Sequence, residues 1–353
     1  MTILIVENGY SDLKKSRIPL GQYFQSLGNE VFYACPNPEE KGIQSISMSR
    51  NSLAPFQLFQ GCVRLNNIES EHSIEAVLSF RFIPNVLNYL ASFRHGGIKR
   101  VAVITGLGYA FISTSNSLSA VLQRTLIRLF YRIASNRIQI ITQNPDDLSD
   151  LGVTNGDVIL GSGIKSIDIT TEKAFQKDYV KLLYVGRLLK SKGILTALEV
   201  FEKLKSRSTS VSLTIAGTLD VDNPDSITQA ELRLLRNKEG VNYLGFVNNI
   251  DSVYKDCNVL LFPSIYREGV PRVILESLKN GLTIVTKDMP GCKETVRGNG
   301  FLMGDNNSVS EVVNYISGLS MKKLLENQRR SVDLFNDKFS AEVIYPQYLE
   351  KLR

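Results

Sequence analysis

The segment NVLLFPSIYREGVPRVILESLKNG (residues 258–281) predicts a buried strand, a short loop and a helix in succession. The apolar run VLLF has the length and composition of a strand. Pro271 fits the first turn of the following helix, and Gly281 fits its end. Glu268 is then placed in the loop at the carboxyl end of the strand, and Glu276 is placed inside the helix.

This loop indicates a ligand site, because ligands of doubly wound parallel sheets bind at the carboxyl ends of the strands. The free amides of Gly269 and Val270 at a helix N-terminus suit an anionic ligand. The carboxylates of Glu268 and Glu276 would accept hydrogen bonds from sugar hydroxyls. The alternative is that Glu268 only favours the helix dipole and that Glu276 is solvated.

Short apolar runs rich in β-branched residues alternate with longer amphipathic segments, which is typical of parallel sheets covered by helices. Strands are predicted in both halves of the chain, at Thr2–Val6, Glu30–Ala34, Ala76–Ser79, Arg100–Thr105, Gln139–Thr142, Lys181–Tyr184, Val211–Ala216, Val241–Tyr243, Val259–Phe262 and Thr283–Thr286. The polar, glycine-bearing segment Gly161–Lys177 separates the two patterns. We therefore predict an α/β chain of two Rossmann-like doubly wound domains, residues 1–165 and 166–335. Terminal helices are predicted at Leu319–Phe335 and Phe339–Leu352.

The composition is that of an ordinary globular protein, with 353 residues, 43% of them hydrophobic and 22% charged. The N-terminus MTILIVENG lacks the basic start and the apolar stretch of a signal peptide, and no run of about 18 apolar residues predicts a membrane-spanning helix. The four cysteines are far apart and have no CxxC spacing, so neither a zinc cage nor a disulfide framework is indicated. We therefore expect a cytoplasmic protein.

The net charge of +6 is unevenly distributed, because no Asp or Glu occurs from Ala76 through Pro145. The basic residues of this segment are Arg81, Arg94, Lys99, Arg100, Arg124, Arg128, Arg132 and Arg137. Three of these arginines, at 124, 128 and 132, fall on one stripe of a helix that the sequence predicts at Ser119–Ala134. One interpretation is a helix on an anionic membrane surface, and the other is an ordinary amphipathic helix with a solvated basic edge. Nucleic acid is not expected, because no nucleic-acid-binding motif accompanies the charge.

The segment around Glu268 resembles the signature of glycosyltransferase family 4, in which two glutamates separated by seven residues mark the donor site, as Glu268 and Glu276 are. IVTKDMPGCKETVRGNGFLM (residues 284–303) resembles the strand, PG(C/I)xE turn and strand that follow in this family. YVGRLLKSKG (residues 184–193) resembles the motif that opens the donor domain. The resemblance implies the GT-B architecture, in which two Rossmann-like domains face a central cleft and a C-terminal helix, here residues 336–353, crosses back to the first domain.

The resemblance also implies roles for individual residues. Arg187, Lys192 and Glu268 become the catalytic residues, with both cations on the diphosphate and Glu268 on the transferred sugar. Glu276 is implied to bind the ribose of the nucleotide. Two cations can stabilise the charge of a departing diphosphate, so neither a metal ion nor a cofactor is expected. The implied donor site also includes Gly186, Gly269, Val270, Pro271 and Arg272.

The first half carries a glycine turn directly after a predicted strand, in TGLGYAF (residues 105–111). It lacks the third glycine of a dinucleotide fingerprint, and no acid follows about 20 residues on, so a dehydrogenase is not favoured. The turn resembles a segment of bacterial family members that act on polyprenyl-diphosphate-linked acceptors, as do QNPDD (143–147) and GSGI (161–164). The implied acceptor or cleft residues are Gly106, Gly108 and Asn144. Gly9, in the loop after the first strand, is predicted to approach the diphosphate.

The implied activity is transfer of a hexose or N-acetylhexosamine from a UDP-sugar to a sugar hydroxyl, with retention of configuration. The implied acceptor is a glycan on a polyprenyl diphosphate, as in O-antigen or capsule assembly, and the enzyme would associate peripherally with the inner face of the cytoplasmic membrane. The expected partners are thus a UDP-sugar, a lipid-linked sugar acceptor and an anionic membrane surface. One alternative is an epimerase-like or phosphorylase-like enzyme that acts on the donor alone. Another is a non-catalytic lectin or assembly partner.

Overall fold

Two parallel β-sheets, one in each half of the chain, organise the fold in this computed structural model. The structure describes residues 1–48, 54–108, 111, 117–166, 179–207, 210–304 and 309–353. The chain divides into two units, Met1–Lys165 with Ser340–Arg353, and Ser166–Phe339. The predicted linker Gly161–Lys177 contains the division, but its residues 167–177 lie outside the described part of the chain.

The first unit contains a seven-stranded sheet with the order β3-β2-β1-β4-β5-β6-β7. Its strands are β1 (Thr2–Val6), β2 (Glu30–Cys35), β3 (Gln44–Ser45), β4 (Ala76–Phe80), β5 (Lys99–Ile104), β6 (Gln139–Thr142) and β7 (Gly156–Val158). Its helices are α1 (Tyr10–Asp12), α2 (Ile18–Ser26), α3 (Pro55–Glu71), α4 (Phe82–Ala91), α5 (Leu118–Ala134) and α6 (Pro145–Leu151), and a π-helical turn at Leu13–Arg17 joins α1 to α2. The strand order reverses between β1 and β4.

Both faces of this sheet are covered, because the apolar side chains of each strand alternate between two clusters. Ile3 and Ile5 of β1 pack with α2 on one face. Leu4 and Val6 pack with α3 and α4 on the other face. Successive side chains of a strand point to opposite faces, so a strand covered on both sides is apolar throughout.

The second unit contains a six-stranded parallel sheet with the order β10-β9-β8-β11-β12-β13. Its strands are β8 (Val180–Val185), β9 (Val211–Ala216), β10 (Val241–Gly245), β11 (Val259–Phe262), β12 (Thr283–Lys287) and β13 (Gly300–Met303). Its helices are α7 (Ile194–Arg207), α8 (Gln229–Arg236), α9 (Asp251–Asp256), α10 (Arg272–Lys279), α11 (Val309–Ser317) and α12 (Met321–Lys338). Helices α7, α8 and α11 share one apolar cluster, whereas α10 and α12 pack together against β12. The order reverses between β8 and β11.

The last helix, α13 (Ala341–Leu352), belongs to the first unit. The amide of Ala341 donates to the carbonyl of Ile164 at 2.8 Å, and the hydroxyl of Tyr348 donates to the carbonyl of Gly161 at 3.1 Å. Gly163 has a φ of +67°, and a side chain there would overlap the ring of Tyr345. The GSGI segment therefore anchors the returning helix.

The predicted strands are all present, with ends shifted by one or two residues at most. The returning helix begins later than the predicted residue 336, because α12 continues to Lys338. Helices α1, α3, α6 and α11 were not predicted, whereas α12 confirms the predicted helix Leu319–Phe335 with ends shifted by two and three residues. Helix α3 buries polar Asn66 and Glu69 beside Leu65 and Ile68, which obscures its apolar periodicity. Among the described residues, no helix is long and apolar enough to span a membrane.

Acids from outside residues 76–145 neutralise part of the positive charge of that segment. The guanidinium of Arg100 forms two hydrogen bonds to the carboxylate of Glu69, at 2.8 and 2.9 Å, and both side chains are buried. Arg81 is paired with acids from the start of the chain, as described below. The expectation of unopposed positive charge is therefore wrong for these two arginines, because folding brings distant acids to them.

Helix α5 presents an apolar stripe to solvent beside its arginines. We call this stripe the leucine face of α5, and it consists of Leu118, Val121, Leu122, Leu126, Leu129 and Ile133. Leu118 and Leu122 are 89% and 60% exposed. The Nε atoms of Arg128 and Arg132 donate to backbone carbonyls at the end of α6, at 2.7 and 3.2 Å. The predicted stripe of arginines is thus tied to the protein over part of its length, and leucines occupy the outer surface.

Candidate functional site

The predicted donor residues gather at the carboxyl edge of the second sheet, where its strand order reverses. Gly186 and Arg187 directly follow β8, and the loop that carries Glu268 follows β11. These two strands are neighbours in the sheet, so their carboxyl ends lie side by side. The reversal point is where doubly wound sheets bind ligands. The structure therefore brings together the two segments that the sequence singled out.

Lys192 is held at this edge by a glycine that allows a close approach. It ends a 3₁₀ turn, Lys190–Lys192, and Gly193 follows with a φ of +80°. A side chain on Gly193 would overlap the backbone carbonyl of Pro263, which comes directly after β11. Only glycine satisfies both the left-handed backbone and this contact. The KG dipeptide thus fixes the lysine beside the end of β11.

The ammonium of Lys192 contacts the carboxylate of Glu268, and the two side chains are 12% and 23% exposed. It also lies 5.6 Å from the ring centroid of Phe262 and 5.1 Å from that of Tyr266, within the range of cation–π attraction. Burial lowers the pKa of Lys192 to about 8, and the charge of Arg187 acts in the same direction. The contact with Glu268 favours the charged form. Lys192 is therefore a cation whose charge depends on pH near neutrality.

Arg187 pairs with an acid that sequence reasoning missed. Its Nη1 lies 2.6 Å from Oδ2 of Asp220, and the arginine side chain is 49% exposed. Asp220 lies between β9 and α8, in a loop that also contributes Asp225. The amide of Ser191 donates to Asp225 at 3.0 Å. This loop therefore holds the segment from Arg187 to Lys192, a contact between distant segments that local sequence does not indicate.

The carboxylate of Glu276 is held from two sides. Nε of Arg272 lies 2.8 Å from its Oε1, and the hydroxyl of Tyr254 donates to its Oε2 at 3.0 Å. Tyr254 lies on α9 and is fully buried. The alternative of a solvated Glu276 is therefore wrong. Helix α10 begins at Arg272, so Pro271 caps the helix one residue before the position predicted for it.

The PGCKE turn (residues 290–294) supports the loop that carries Glu268. Gly291 has a φ of +82°, and a side chain there would overlap the carbonyl oxygen of Gly269. The carbonyl of Glu268 lies beside the same position. Val270, next in the loop, is buried. The glycine of this motif is thus needed for close packing of two backbones, which positions Glu268 beside Lys192.

The residues predicted in the first unit are placed differently. Gly106 and Gly108 follow β5 with φ values of +118° and +73°, as a glycine turn requires. Asn144 is fully buried and its side chain accepts the amide of Asp147 at 2.8 Å, so it caps α6. The N-x-x-D pattern at this position forms a helix cap, so a contact of Asn144 with an acceptor stays a prediction. Gly9 has an extended backbone with open space beside it, so its approach to a diphosphate stays a prediction.

The second sheet and its edge carry a known family pattern. Residues 166–333 match the model of the family described as glycosyl transferases group 1. The second unit belongs to this family. With the two sheets already described, the chain is a glycosyltransferase of the GT-B fold.

One relative carries the similarity into the first unit. The chain is 25% identical to the N,N'-diacetylbacillosaminyl-diphospho-undecaprenol alpha-1,3-N-acetylgalactosaminyltransferase of Campylobacter jejuni, over 84% of this chain and 83% of the relative. It is 30% identical to the capsular polysaccharide biosynthesis glycosyltransferase CapM of Staphylococcus aureus, over 56% of each. The structure of Anabaena HepE in complex with UDP and glucose aligns over 100% of this chain and 99% of that chain, with a TM-score of 0.76 and 17% identity. At that identity the likeness shows the fold alone.

Proposed function

We propose that this glycosyltransferase moves a hexose or N-acetylhexosamine from a UDP-sugar to a sugar of a polyprenyl-diphosphate-linked acceptor, with retention of configuration and without a metal ion. One observation carries the donor half of the proposal. At the reversal point of the second sheet, Arg187 and Lys192 follow β8, and Glu268 follows the neighbouring strand β11 and contacts Lys192. Glu276 lies on α10, the helix that follows the same loop. Two cations suit a diphosphate, and two carboxylates suit sugar hydroxyls.

The residues divide the chemistry between leaving group and sugar. As the bond from the anomeric carbon to the diphosphate oxygen breaks, Arg187 and Lys192 stabilise the negative charge on that oxygen. The acceptor hydroxyl attacks the same face of the sugar, and its proton passes to the departing phosphate. Glu268 orients hydroxyls of the transferred sugar, and Glu276 orients the ribose. The products are UDP and the extended glycan.

The observed ion pairs are compatible with this division. The Arg187–Asp220 pair is half-exposed, and exposed pairs contribute at most about 1 kcal/mol, so a doubly charged diphosphate competes well for the arginine. Glu276 is already oriented by Arg272 and Tyr254. Pre-oriented groups lose less entropy when a ligand binds.

The names of relatives support the substrates. The Campylobacter relative is named for an undecaprenol-diphosphate-linked acceptor and an N-acetylgalactosamine, and CapM is named for capsule synthesis. HepE, which shares the fold, binds UDP and glucose. A UDP-sugar donor and a lipid-linked acceptor are the substrates we propose for this chain on that basis.

The test is a screen of UDP-sugars with the purified chain in a metal chelator, with and without short polyprenyl-diphosphate-linked glycans. We expect UDP release that depends on the acceptor. We also expect NMR to show that the transferred sugar has the same anomeric configuration, axial or equatorial, in the product as in the donor. Conversion of the donor alone would identify an epimerase-like enzyme instead. Absence of UDP binding by calorimetry would favour a non-catalytic lectin.

The value of kcat/KM for the donor is expected to fall as the pH rises through about 8. Burial lowers the pKa of Lys192 to about 8, so the free enzyme loses this diphosphate-binding charge above that pH. The ratio kcat/KM reports groups of the free enzyme. The matched variant is Lys192→Arg, which stays charged throughout and should show a flatter profile whatever its absolute rate. A wild-type profile without this fall, or the same fall in the variant, would contradict the assignment.

We also propose that the leucine face of α5 inserts into the surface of an anionic membrane, which would place the enzyme at the inner face of the cytoplasmic membrane. The face is apolar and exposed, and arginines of the same helix border it. Such helices lie at the lipid interface with their apolar face inward. The sequence alone suggested a membrane contact through arginines. The contact proposed here is mainly apolar, and the arginines of α5 assist it.

Vesicle sedimentation tests this surface. The double variant Leu122→Glu, Leu126→Glu is expected to weaken binding to phosphatidylglycerol-containing vesicles at least about tenfold, because burial of each leucine is worth ~1.5–3 kcal/mol. Leu234→Glu is the matched control, since Leu234 is a 68% exposed leucine on α8. Unchanged binding of the double variant, or equal loss in the control, would count against the proposal.

A further inference from the structure

The first sheet has a reversal point of its own, and two charged residues with no role assigned above lie there. The order reverses between β1 and β4. Glu7 directly follows β1, and Arg81 directly follows β4. These strands are paired, so the two residues stand side by side at the edge where doubly wound sheets bind ligands.

Glu7 is fully buried and binds two arginines. Its Oε2 accepts from Nε of Arg17 at 2.8 Å, and its Oε1 lies 3.4 Å from Nε of Arg81. The guanidinium of Arg17 is only 5% exposed and lies 3.6 Å from the ring centroid of Phe80. Buried ion pairs of this kind seldom add net stability compared with apolar residues, but they fix geometry. Here they fix the position of Arg81.

Arg81 holds a backbone conformation that side chains disfavour. Its φ of +72° and ψ of 172° lie in a region populated essentially by glycine. The strain is maintained by specific contacts, since its amide donates to the carbonyl of Val103 at 3.0 Å. Strain of this kind is kept where the surrounding structure determines it, often at ligand sites. A glycine at position 81 would relieve the strain. The chain nevertheless has an arginine there, so the strained backbone carries a charged side chain.

The outer edge of the Arg81 guanidinium is covered by a carboxylate from α1. Oδ2 of Asp12 lies 2.8 Å from Nη2 of Arg81, and the two side chains are 40% and 32% exposed. A guanidinium binds carboxylate and phosphate oxygens with the same fork geometry. Asp12 therefore occupies the place that a phosphate oxygen of a ligand would take, and solvent reaches this pair.

We propose that Arg81 binds a phosphate oxygen of a substrate in place of Asp12, with Glu7 and Arg17 as positioning residues. The identity of the substrate rests on the proposed function, in which both the UDP-sugar and the polyprenyl-linked acceptor carry a diphosphate. The binding site itself is independent of that function.

The first experiment is calorimetric titration of the full chain with inorganic diphosphate, in an Arg187→Ala background that weakens the cationic edge of the second unit. Adding Arg81→Gln should weaken the affinity at least tenfold, and adding Asp12→Asn should strengthen it several-fold, because it removes a competitor for the arginine. Arg81→Gly should lose binding like Arg81→Gln but melt at a higher temperature than Arg81→Gln, because both variants remove the ion pair with Glu7 and only the glycine relieves the backbone strain. It also carries the test if the glutamine variant does not fold. Equal affinity across these variants would overturn the proposal.

The second experiment identifies the source of the phosphate with transfer assays of Arg81→Gln in the wild-type background. A higher KM for the UDP-sugar indicates the donor diphosphate. A higher KM for a diphosphate-linked acceptor, but not for the same sugar on a neutral alkyl glycoside, indicates the acceptor. Unchanged KM values for all three would overturn the proposal. If the chain transfers no sugar at all, the proposed function fails while the diphosphate titration still decides the role of Arg81.

Discussion

Glu69→Ala is expected to lower the free energy of unfolding of the first unit by about 3–5 kcal/mol. The variant leaves Arg100 buried with its charge uncompensated, because the side chains of Arg100 and Glu69 are 2% and 0% exposed. Nη1 of Arg100 keeps one polar contact, to Oδ1 of Asn88 at 3.0 Å, but that amide carries no charge to balance it. Urea unfolding should show a lower midpoint with an unchanged slope for this unit.

The matched control for this prediction is Glu71→Ala on the same helix. Glu71 pairs with Arg64 at the surface, where the two side chains are 52% and 36% exposed, so its removal should cost less than about 1 kcal/mol. The double variant Glu69→Ala, Arg100→Met should recover much of the loss, because no buried charge remains. Equal midpoints for the two single variants would show that the buried pair does not stabilise the unit.

The Arg100–Glu69 pair also shows what local sequence cannot predict. The absence of acids over residues 76–145 is a true property of the sequence. It does not translate into unopposed charge, because α3 folds against α4 and brings Glu69 beside β5. Helix α3 itself was missed, since its buried face mixes apolar and polar side chains. Pairings of this kind depend on tertiary packing rather than on periodicity.

Helix α5 shows a second limit of prediction from the sequence. Its period and its bounds were predicted almost to the residue, whereas the face that packs inward was not. The buried residues are Ala120, Tyr131 and Ala134, and the larger leucines face solvent. Periodicity defines an apolar stripe but not what packs against it, so a stripe that faces solvent looks in the sequence like a stripe that faces the core.

The arrangement of strand ends and loops at the carboxyl edge of the second sheet was predicted best, because its determinants are local. A strand end, a glycine turn and a helix start follow one another within residues 184–193 and again within 258–281. Tyr254, Asp220 and Asp225 come from other elements and carry no sequence signal of their own. They hold the predicted residues in place through contacts that only the folded sheet creates.

Arg187→Ala is expected to lower turnover by roughly 10²–10³-fold at saturating donor, the loss typical when one preorganised electrostatic stabiliser is removed. Arg187 acts on charge that develops as the diphosphate departs, so the effect should appear in kcat more than in KM. Loss of stability cannot account for such a fall, because its pair with Asp220 is half-exposed and contributes at most about 1 kcal/mol.

Two further variants separate this role from a general effect of charge. Arg233→Ala removes an exposed arginine from α8 and should leave turnover unchanged. Asp220→Asn removes the acid that competes for Arg187 and should lower the KM for the donor without a comparable loss of kcat. Near-normal turnover of Arg187→Ala in a stopped UDP-release assay would refute the assignment. A large fall in Arg187→Ala together with tighter donor binding in Asp220→Asn requires that the arginine exchange its acid for the diphosphate during each catalytic cycle.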